Sequence, residues 1–417
     1  VKLDKYFFVE ESKNMKLWRM TKPDQNVCLD ILRKTNLSKT VVQILVSRGL
    51  TDLNDLNDFF NGDELEDPFC MKDMDKAVEA VNNALQNGEK ICVYGDYDCD
   101  GVTSTAILYL YLSMMGADVS YYIPQRSEGY GLNKLAIDKI FHGGSTLIIT
   151  VDNGISAIDE ADYIKALDMK LVITDHHQPS ETLPNAYAVV DPHRTDCGSK
   201  FKELSGAGVA LKLIAAMEGD YTAVMEQFCE IAAIGTIADI VSLTGENRII
   251  ARQGLEYLKN TENLGLSCLM EKCSLDPNNI NSTIVAFTLA PRINAAGRFG
   301  SAETALKALV CEDELYEEYS DELIMLNSKR KETEEKILAE ITAFIDERPD
   351  VLHERVLVLA GKGWHSGVIG IVAAKLLNLF GKPVFLISLN DDGIGVGSAR
   401  SVDGYSCLLY TSPSPRD

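Results

Sequence analysis

Between residues 90 and 191, short apolar runs alternate with longer amphipathic segments, and this alternation restricts the fold more than any other feature of the sequence. The apolar runs are rich in β-branched residues and have the length of buried strands. The segments between them carry apolar residues at helical spacing, and the first ends in Gly116, a residue type that commonly terminates helices. Strands that alternate with helices predict a parallel sheet with right-handed crossovers, so we expect an α/β fold. The predicted strands are KICVYG, DVSYYIP, STLIITVD, KLVITDHH and AYAVVDP.

The other parts of the 417-residue chain point to several domains, because this length exceeds what one ordinary core organises. The sequence before residue 75 has helical periodicity, and so has the sequence from about 205 to 345. The segment from Cys311 to Glu347 is long enough for a connector helix or a pair of helices. A second, smaller block of alternating strands and helix follows. We predict a helical region at 1–75, a domain with the parallel sheet flanked by helices at 76–240, a helical region with the connector helix at 241–345, and an incomplete α/β domain at 346–406.

The ends of the chain have unusual features. The residues from Cys407 to Asp417 read CLLYTSPSPRD and have no periodicity. They match the translation of a sequencing adapter, and we interpret them as an adapter-derived artefact rather than as a tail rich in Pro and Ser. The chain begins with Val1 instead of Met, and the last α/β block stops near Ser406. Both features lead us to expect a fragment of a longer protein.

The composition predicts a cytoplasmic protein that does not enter membranes. No apolar run approaches the ~18 residues of a membrane span, and the N-terminus lacks the apolar segment of a secretion signal. The ten cysteines include no CxxC pair, which is typical of reduced thiols. A net charge of -22 argues against simple electrostatic capture of a nucleic acid. It does not exclude a locally basic groove beside a carboxylate site that cations neutralise.

Side chains of the metal-ligand type follow three of the predicted strands. The segment VYGDYDCDG follows one strand with three aspartates, VDNG follows a second, and TDHH follows a third. Because the carboxyl ends of parallel strands meet at one edge of a sheet, we expect these side chains to converge. One such aspartate alone would more often be a turn or cap residue, but that does not explain three strand ends with the same chemistry. The candidates are Asp96, Asp98, Asp100, Asp152, Asp175, His176 and His177, with Asp239 from a later apolar stretch.

The predicted ligand set is dominated by oxygen. Carboxylates with a few imidazoles suit Mn²⁺ or Mg²⁺, whereas structural zinc favours cysteine. Two such ions roughly 3.5–4 Å apart can share a carboxylate and activate water for hydrolysis. Three other chemistries are not indicated. The glycine cluster in SGAGVALKL is not a complete dinucleotide motif, and the sequence has neither a Walker loop nor a G-x-S-x-G elbow.

At these motifs the sequence resembles the DHH phosphoesterase superfamily, and in particular its RecJ family of single-strand-specific DNA exonucleases. The resemblance covers the chain from about residue 45 to Ser406. It implies that 76–240 is a DHH catalytic domain and that 346–406 is a truncated DHHA1 substrate-binding domain. The segments that carry it, in chain order, are DYDCDG, IPQRSEGYGL, VDNG, TDHH, IGTIADIV, PRINAAGR, GWHSGVIGIVAAKL and GSARS.

The resemblance also implies roles for individual residues. Two ions, Mn²⁺ or Mg²⁺, would be bound by Asp98, Asp100, Asp152, His176 and Asp239, with Asp96 as an additional candidate ligand. Asp175 and His177 would orient these ligands without binding the ions. The substrate phosphate would be bound by Arg126, Arg298, His365, Ser398 and Arg400.

The activity that the resemblance implies is 5′→3′ exonuclease cleavage of single-stranded DNA, in DNA repair and recombination. A helicase and a single-strand-binding protein are the partners it suggests. Three alternatives stay open: a phosphodiesterase of short oligonucleotides or cyclic dinucleotides, a non-catalytic subunit of the same fold, and a manganese pyrophosphatase. Three departures from the family are the segment VVDPHR after the DHH motif, Cys99 at a position that often holds a small aliphatic residue, and the absence of the OB-fold that would follow the DHHA1 domain.

Overall fold

The computed structural model describes residues 22–402 and 404, and the chain divides after Glu64 into two units. The described part of the first unit is helical and has its own small core, which includes Ile31, Val42 and Leu45. Each helix begins where the side chain of an Asp or Ser accepts backbone N–H groups of the first turn. The helices are α1 (Gln25–Lys34), α2 (Lys39–Ser47) and α3 (Leu53–Asn61).

The centre of the second unit is a sheet of five strands. They are β1 (Ile91–Tyr94), β2 (Val119–Tyr122), β3 (Leu147–Val151), β4 (Lys170–Thr174) and β5 (Ala188–Val190). Their order in the sheet is β2-β1-β3-β4-β5, and every neighbouring pair is parallel. Each of the five predicted runs contains one of these strands. The predicted α/β fold with a parallel sheet is therefore confirmed.

Both faces of this sheet are covered, which explains why its strands are apolar at nearly every position. Alternate residues of β1 belong to different apolar clusters: Ile91 and Val93 to one, Cys92 and Tyr94 to the other. β1, β3 and β5 are buried along their whole length, whereas the edge strand β2 is half-buried. The helices of this part of the chain are α4 (Met74–Asn87), α5 (Cys99–Met114), α6 (Lys134–His142) and α7 (Ile158–Ala166).

A mainly helical region follows the sheet, in agreement with its predicted periodicity. A π-helical turn at Val285–Leu289 interrupts it, and its last helix is the predicted connector. The helix that carries Asp239 packs against α5 and so approaches the carboxyl edge of the sheet. The helices are α8 (Gly206–Glu218), α9 (Tyr221–Ala238), α10 (Gly245–Leu258), α11 (Leu264–Lys272), α12 (Ser282–Ile284), α13 (Ala290–Phe299), α14 (Ala302–Val310) and α15 (Tyr316–Glu347).

The last part of the described chain is the smaller α/β block that the sequence predicts. It contains β6 (Leu357–Lys362), α16 (Ser366–Phe380), β7 (Val384–Leu389) and β8 (Gly395–Arg400). β6 and β7 are parallel, as a strand-helix-strand connection requires, and β8 pairs antiparallel with β7. The buried residues of α16, such as Val368, Ile369 and Val372, pack on one face of this sheet.

Among the described residues, no helix is both long enough and apolar enough to cross a bilayer. All cysteines in the described ranges are free thiols, and Cys92 and Cys229 lie in the core as their apolar surroundings suggest. The interpretation of Cys407 to Asp417 as an artefact and the helical pattern predicted before residue 22 lie outside the described residues.

Candidate metal centre

Three residues of the ligand type follow directly on strands of the parallel sheet, at its carboxyl edge. Asp152 is the first residue after β3, and Asp175 and His176 follow β4. Asp239 comes from a distant part of the chain, because it ends α9. The parallel pairing of β3 with β4 and the packing of α9 on α5 bring these side chains together.

The remaining aspartates lie around the start of α5. Asp96 and Asp98 are in the loop after β1, and Asp100 is in the first turn of the helix. α5 begins at Cys99, earlier than its apolar pattern predicts, because Asp98 acts as the N-cap: its Oδ1 atom accepts the N–H of Gly101 at 3.0 Å. The start of a helix favours negative charge, so this position stabilises the crowded carboxylates.

His176 lies at the centre of the cluster. Its Nε2 atom is 3.0 Å from Oδ1 of Asp152, 3.8 Å from Oδ2 of Asp239 and 3.9 Å from Oδ2 of Asp100. The structure thus brings together every residue that the resemblance implies as an ion ligand. Within three groups, the ligand atoms lie no more than 4.8 Å apart: Asp96 with Asp98 and Asp152, Asp100 with His176 and Asp239, and Asp152 with His176 and His177.

The carboxylates of this cluster repel one another at short range. Asp100 and Asp152 are almost completely buried, which raises the pKa of each well above its usual range, and neighbouring carboxylates raise it further. Burial and the charge of Asp98 raise the pKa of Asp96 to about 7, and Oδ1 of Asp96 has no hydrogen-bond partner among the described residues. This set of oxygen donors fits divalent cations such as Mn²⁺ or Mg²⁺, which would remove the repulsion.

The start of α8 is built closely around two of the carboxylates. Asp100 accepts the backbone N–H groups of Gly206 at 2.6 Å and of Ala207 at 3.0 Å. A Cβ atom on Gly206 would lie 2.6 Å from Cβ of Asp152. The neighbouring helix α9 is equally close, because a Cβ atom on its Gly235 would lie 2.6 Å from Oδ1 of Asp100. Sequence reasoning missed this role of the glycine-rich helix start, which it considered only as a dinucleotide site. The available signal was the pair of glycines at the beginning of a buried helix.

The turn after β3 requires the residue types that the sequence supplies. Asp152 has a φ of 61°, in the left-handed region that Gly, Asn and Asp adopt more readily than other residues. Gly154 also has a positive φ, of 113°. The side chain of Asn153 donates to the carbonyl of Val151 at 2.9 Å and closes the turn. This backbone places the Asp152 carboxylate next to His176.

Hydrogen bonds tie Asp175 to the two histidines that follow it. Its carboxylate accepts the backbone N–H groups of His176 at 2.7 Å and Ile155 at 2.8 Å, and contacts Nδ1 of His177 at 2.7 Å. Burial opposes the ionisation of Asp175, but the hydrogen bonds hold its pKa below the usual range. Asp175 in turn raises the pKa of His177 to about 9, whereas burial lowers that of His176 to about 4. His176 therefore has a neutral imidazole at neutral pH, the form that binds metal ions.

Two of the predicted phosphate-binding residues, Arg126 and Arg298, lie beside the carboxylate loop. The guanidinium group of Arg126 is stacked 4.4 Å from the ring centre of Tyr97, the residue between Asp96 and Asp98. Burial, together with the positive charge of Arg126, lowers the pKa of Arg298 to about 10, whereas the charge of Asp98 opposes this shift. The two arginines and the carboxylate of Asp98 are thus close enough to interact electrostatically.

His365 lies at the start of α16 and caps it, because its Nδ1 atom accepts the N–H of Gly367 at 3.2 Å. Its ring stacks on Phe299 with the ring centres 4.2 Å apart. Arg298 donates from Nη1 to the carbonyl of Gly367 at 2.6 Å, so His365 and Arg298 share one small region. Lys329 of α15 also lies here, 5.4 Å from the ring centre of Phe299, and sequence reasoning missed it.

Ser398 and Arg400 of β8 lie over the same helix. A Cβ atom on Gly370 would be 3.0 Å from Oγ of Ser398 and 3.1 Å from Nη2 of Arg400. The positive charge of Arg400 also lowers the pKa of Arg298, and so does that of Arg330 from α15. Sequence reasoning did not identify Arg330, because the charges of α15 follow the pattern of a solvated helix surface. The structure thus brings all five predicted cationic or polar residues to one region.

Comparison with known proteins gives a consistent assignment. Residues 90–236 match the family described as "DHH family, N-terminal domain". The chain is 40% identical over 394 residues to the single-stranded-DNA-specific exonuclease RecJ of Bacillus subtilis (strain 168). This match covers 93% of this chain and 50% of that protein. It is 35% identical over 356 residues to the exonuclease of the same name from Thermus thermophilus, with 84% and 51% covered. The chain spans about half the length of each of these two relatives.

Two solved structures have the same fold. A crystal structure of exonuclease RecJ bound to manganese has a TM-score of 0.71 and 35% identity, and the match covers 81% of this chain and 84% of that chain. The crystal structure of RecJ from Thermus thermophilus in complex with Mn²⁺ has a TM-score of 0.79 and 30% identity, and the match covers 94% and 57%. The chain therefore belongs to the DHH family, and within it to the RecJ proteins.

Proposed function

We propose that this chain is the catalytic part of a metal-dependent exonuclease that hydrolyses phosphodiester bonds of single-stranded DNA in the 5′→3′ direction. The observation that carries the proposal is the proximity of opposite charges, since the guanidinium group of Arg126 stacks on Tyr97, the residue between Asp96 and Asp98. A phosphodiester fits between them, because cations in the carboxylate cluster and guanidinium groups can neutralise its oxygens from two sides. The RecJ relatives, which are named as exonucleases specific for single-stranded DNA, support this substrate.

The ions of this proposal are two Mn²⁺ or Mg²⁺. Asp98, Asp100, Asp152, His176 and Asp239 would hold them, with Asp96 as a further ligand, and Asp175 and His177 would orient the ligands. When bound, the ions supply Lewis-acid activation for hydrolysis. Two similar RecJ structures, which are bound to manganese, support this choice of metal.

The protein's own cations would bind and orient the substrate. Arg126 and Arg298 lie beside the carboxylate loop, where they can donate hydrogen bonds to the scissile phosphate. His365, Ser398 and Arg400 lie around α16, where they can bind a neighbouring or terminal phosphate. If the first group binds the scissile phosphate and the second binds the terminal phosphate, the fixed distance between the two groups selects one end of the DNA strand. Cleavage would then proceed in one direction.

The division of the chain follows from this assignment. We assign catalysis to a DHH domain at 76–240 and substrate binding to a DHHA1 domain at 346–406, separated by the helical region at 241–345 and preceded by the helical region at 1–75. A role in DNA repair and recombination, a cytoplasmic location, and cooperation with a helicase and a single-strand-binding protein belong to the same proposal. They rest on the family resemblance.

A nuclease assay tests the proposal directly. The chain is incubated with Mn²⁺ and a single strand that carries a label at either the 5′ or the 3′ end. The proposal predicts immediate release of labelled mononucleotide from the 5′ label only. The Asp152→Ala variant should release none, because it lacks a ligand that belongs to two of the three groups.

Three other outcomes would contradict the proposal in different ways. Hydrolysis of dinucleotides or cyclic dinucleotides without cleavage of long strands would favour a phosphodiesterase of short substrates. Mn²⁺ binding without hydrolysis of any of these substrates would favour a non-catalytic subunit. Release of mononucleotide from the 3′ label would overturn the direction alone.

A further inference from the structure

The loop that carries the first three aspartates is held by a helix that lies far away in the sequence. The backbone N–H of Cys99, between Asp98 and Asp100, donates to Oδ1 of Asn294 in α13 at 3.0 Å. This N–H belongs to the first turn of α5, where the helix itself offers no acceptor. Asn294 therefore satisfies a donor that would otherwise be left without a partner at the centre of the carboxylate loop.

A second contact between the same two elements is independent of Asn294. A Cβ atom on Gly297 of α13 would lie only 2.1 Å from the carbonyl oxygen of Tyr97, so the helix backbone touches the loop backbone directly. Arg126, which stacks on the ring of Tyr97, donates from Nε to the carbonyl of Gly297 at 3.4 Å. The loop between β1 and α5 is thus packed against α13 at two positions, one on each side of Asp98.

α13 also contacts the region of the cationic residues. Its residue Arg298 donates to the carbonyl of Gly367 at the start of α16. The next residue, Phe299, stacks on His365. One ten-residue helix therefore contacts both the carboxylate loop and the region of the cationic residues. A π-helical turn directly precedes it, a feature that often occurs at functional sites.

We infer that Asn294 is a positioning residue for the metal ligands: its side-chain carbonyl fixes the first turn of α5, so that Asp98 and Asp100 converge on the same ions. This inference rests on the proposed function, because it assumes that the carboxylates bind ions. It goes further by assigning a metal-site role to a residue that carries no charge and lies within none of the three groups of ligand atoms. Groups that orient metal ligands typically contribute roughly 10- to 100-fold to metal affinity.

The test compares two substitutions of similar shape. Asn294→Leu removes the acceptor, and Asn294→Asp keeps it. In the full chain, titration calorimetry with Mn²⁺ alone should show binding at least about tenfold weaker for Asn294→Leu, and within about threefold of the wild type for Asn294→Asp. If the leucine variant does not fold, Asn294→Ala removes the same acceptor with less crowding and should show the same loss.

Asn263→Ala is the matched control, because Asn263 caps α11 and donates to the carbonyl of Leu309 at 2.7 Å, away from the cluster. It should lower the melting temperature but leave Mn²⁺ affinity unchanged. The inference is overturned if the variants without the acceptor bind Mn²⁺ like the wild type, or if Asn294→Asp binds as weakly as Asn294→Leu. A wild-type chain that binds no Mn²⁺ would instead contradict the proposed function, and the inference with it.

Discussion

The Nε2 atom of His176 lies 3.0 Å from Oδ1 of Asp152, and the two residues follow neighbouring parallel strands. Burial acts on them in opposite directions, since it lowers the pKa of the imidazole to about 4 and raises that of the carboxyl group. Both shifts disfavour charge in the absence of a cation. A bound cation reverses this preference at Asp152, because it attracts the carboxylate and accepts the lone pair of the neutral imidazole.

The first prediction concerns Asp152→Asn. In the metal-free protein this substitution should raise the free energy of unfolding by about 1 kcal/mol or more, because it removes a buried carboxyl group whose ionisation is opposed by burial and by the neighbouring carboxylates. Asn tolerates the φ of 61° at this position, so the backbone adds no new strain. The measurement is urea denaturation in the presence of EDTA. Added Mn²⁺ should raise the melting temperature of the wild type but not that of the variant.

Asp168→Asn is a matched control for this prediction. Asp168 also has a left-handed backbone, with a φ of 58°, but it is exposed and lies between α7 and β4. Its substitution should change the stability by less than about 0.5 kcal/mol. If Asp152→Asn were to destabilise the metal-free protein, repulsion among the carboxylates would not be the dominant interaction at this site.

The second prediction is a dependence of stability on pH in the metal-free protein. The folded-state pKa is about 7 for Asp96 and about 9 for His177, both above the ordinary values of about 3.9 and 6.5. A raised pKa means that protonation favours the folded state, so this stability is lost as the pH rises through the folded-state value. Unfolding in EDTA should therefore require less urea at about pH 8.5 than at about pH 6.5.

Mn²⁺ should oppose this trend, because the ion competes with protons for the same carboxylates and binds more tightly as the pH rises. Parallel urea titrations at saturating Mn²⁺ make the comparison. A metal-free protein whose stability rises over this pH range would show that other groups control its titration.

The sequence predicts which side chains meet at the strand ends, because a parallel sheet brings equivalent positions to one edge regardless of the loops. That rule suffices for Asp152 and His176. It cannot predict that the backbone N–H of Gly206 binds Asp100, since these two residues lie 106 positions apart and no local pattern links them. Lys329 was missed for another reason: it belongs to a charged helix surface that looks solvated until α13 and α16 pack beside it.

The third prediction concerns Ile240, which follows the candidate ligand Asp239. Its φ is 63°, in the left-handed region that strains a β-branched residue. Its side chain is 89% exposed, so burial of apolar surface does not offset this strain. Helices commonly end with glycine at such a position. Ile240→Gly should therefore raise the free energy of unfolding by about 1 kcal/mol, measured by urea denaturation in EDTA. Ser274→Gly, at a φ of 54° but without β-branching, should give a smaller gain.

The fourth prediction separates substrate binding from metal binding at Arg298. Arg298→Ala should lower kcat/KM for single-stranded DNA by roughly 10- to 100-fold, because it removes charged hydrogen bonds to a phosphate. Its Mn²⁺ affinity should stay within about twofold, since the guanidinium group does not contact the ions under this assignment. Arg298→Lys should be intermediate, because lysine keeps the charge but loses the planar pair of donors.

Arg348→Ala provides the control for that series. Arg348 is an exposed arginine paired with Asp350 at 2.9 Å, and its loss should leave both kcat/KM and Mn²⁺ affinity unchanged. Equal losses of kcat/KM and Mn²⁺ affinity in Arg298→Ala would mean that Arg298 acts by holding the carboxylate loop. A loss confined to kcat/KM would instead separate the cationic region, which recognises the substrate, from the carboxylate cluster, which binds the ions.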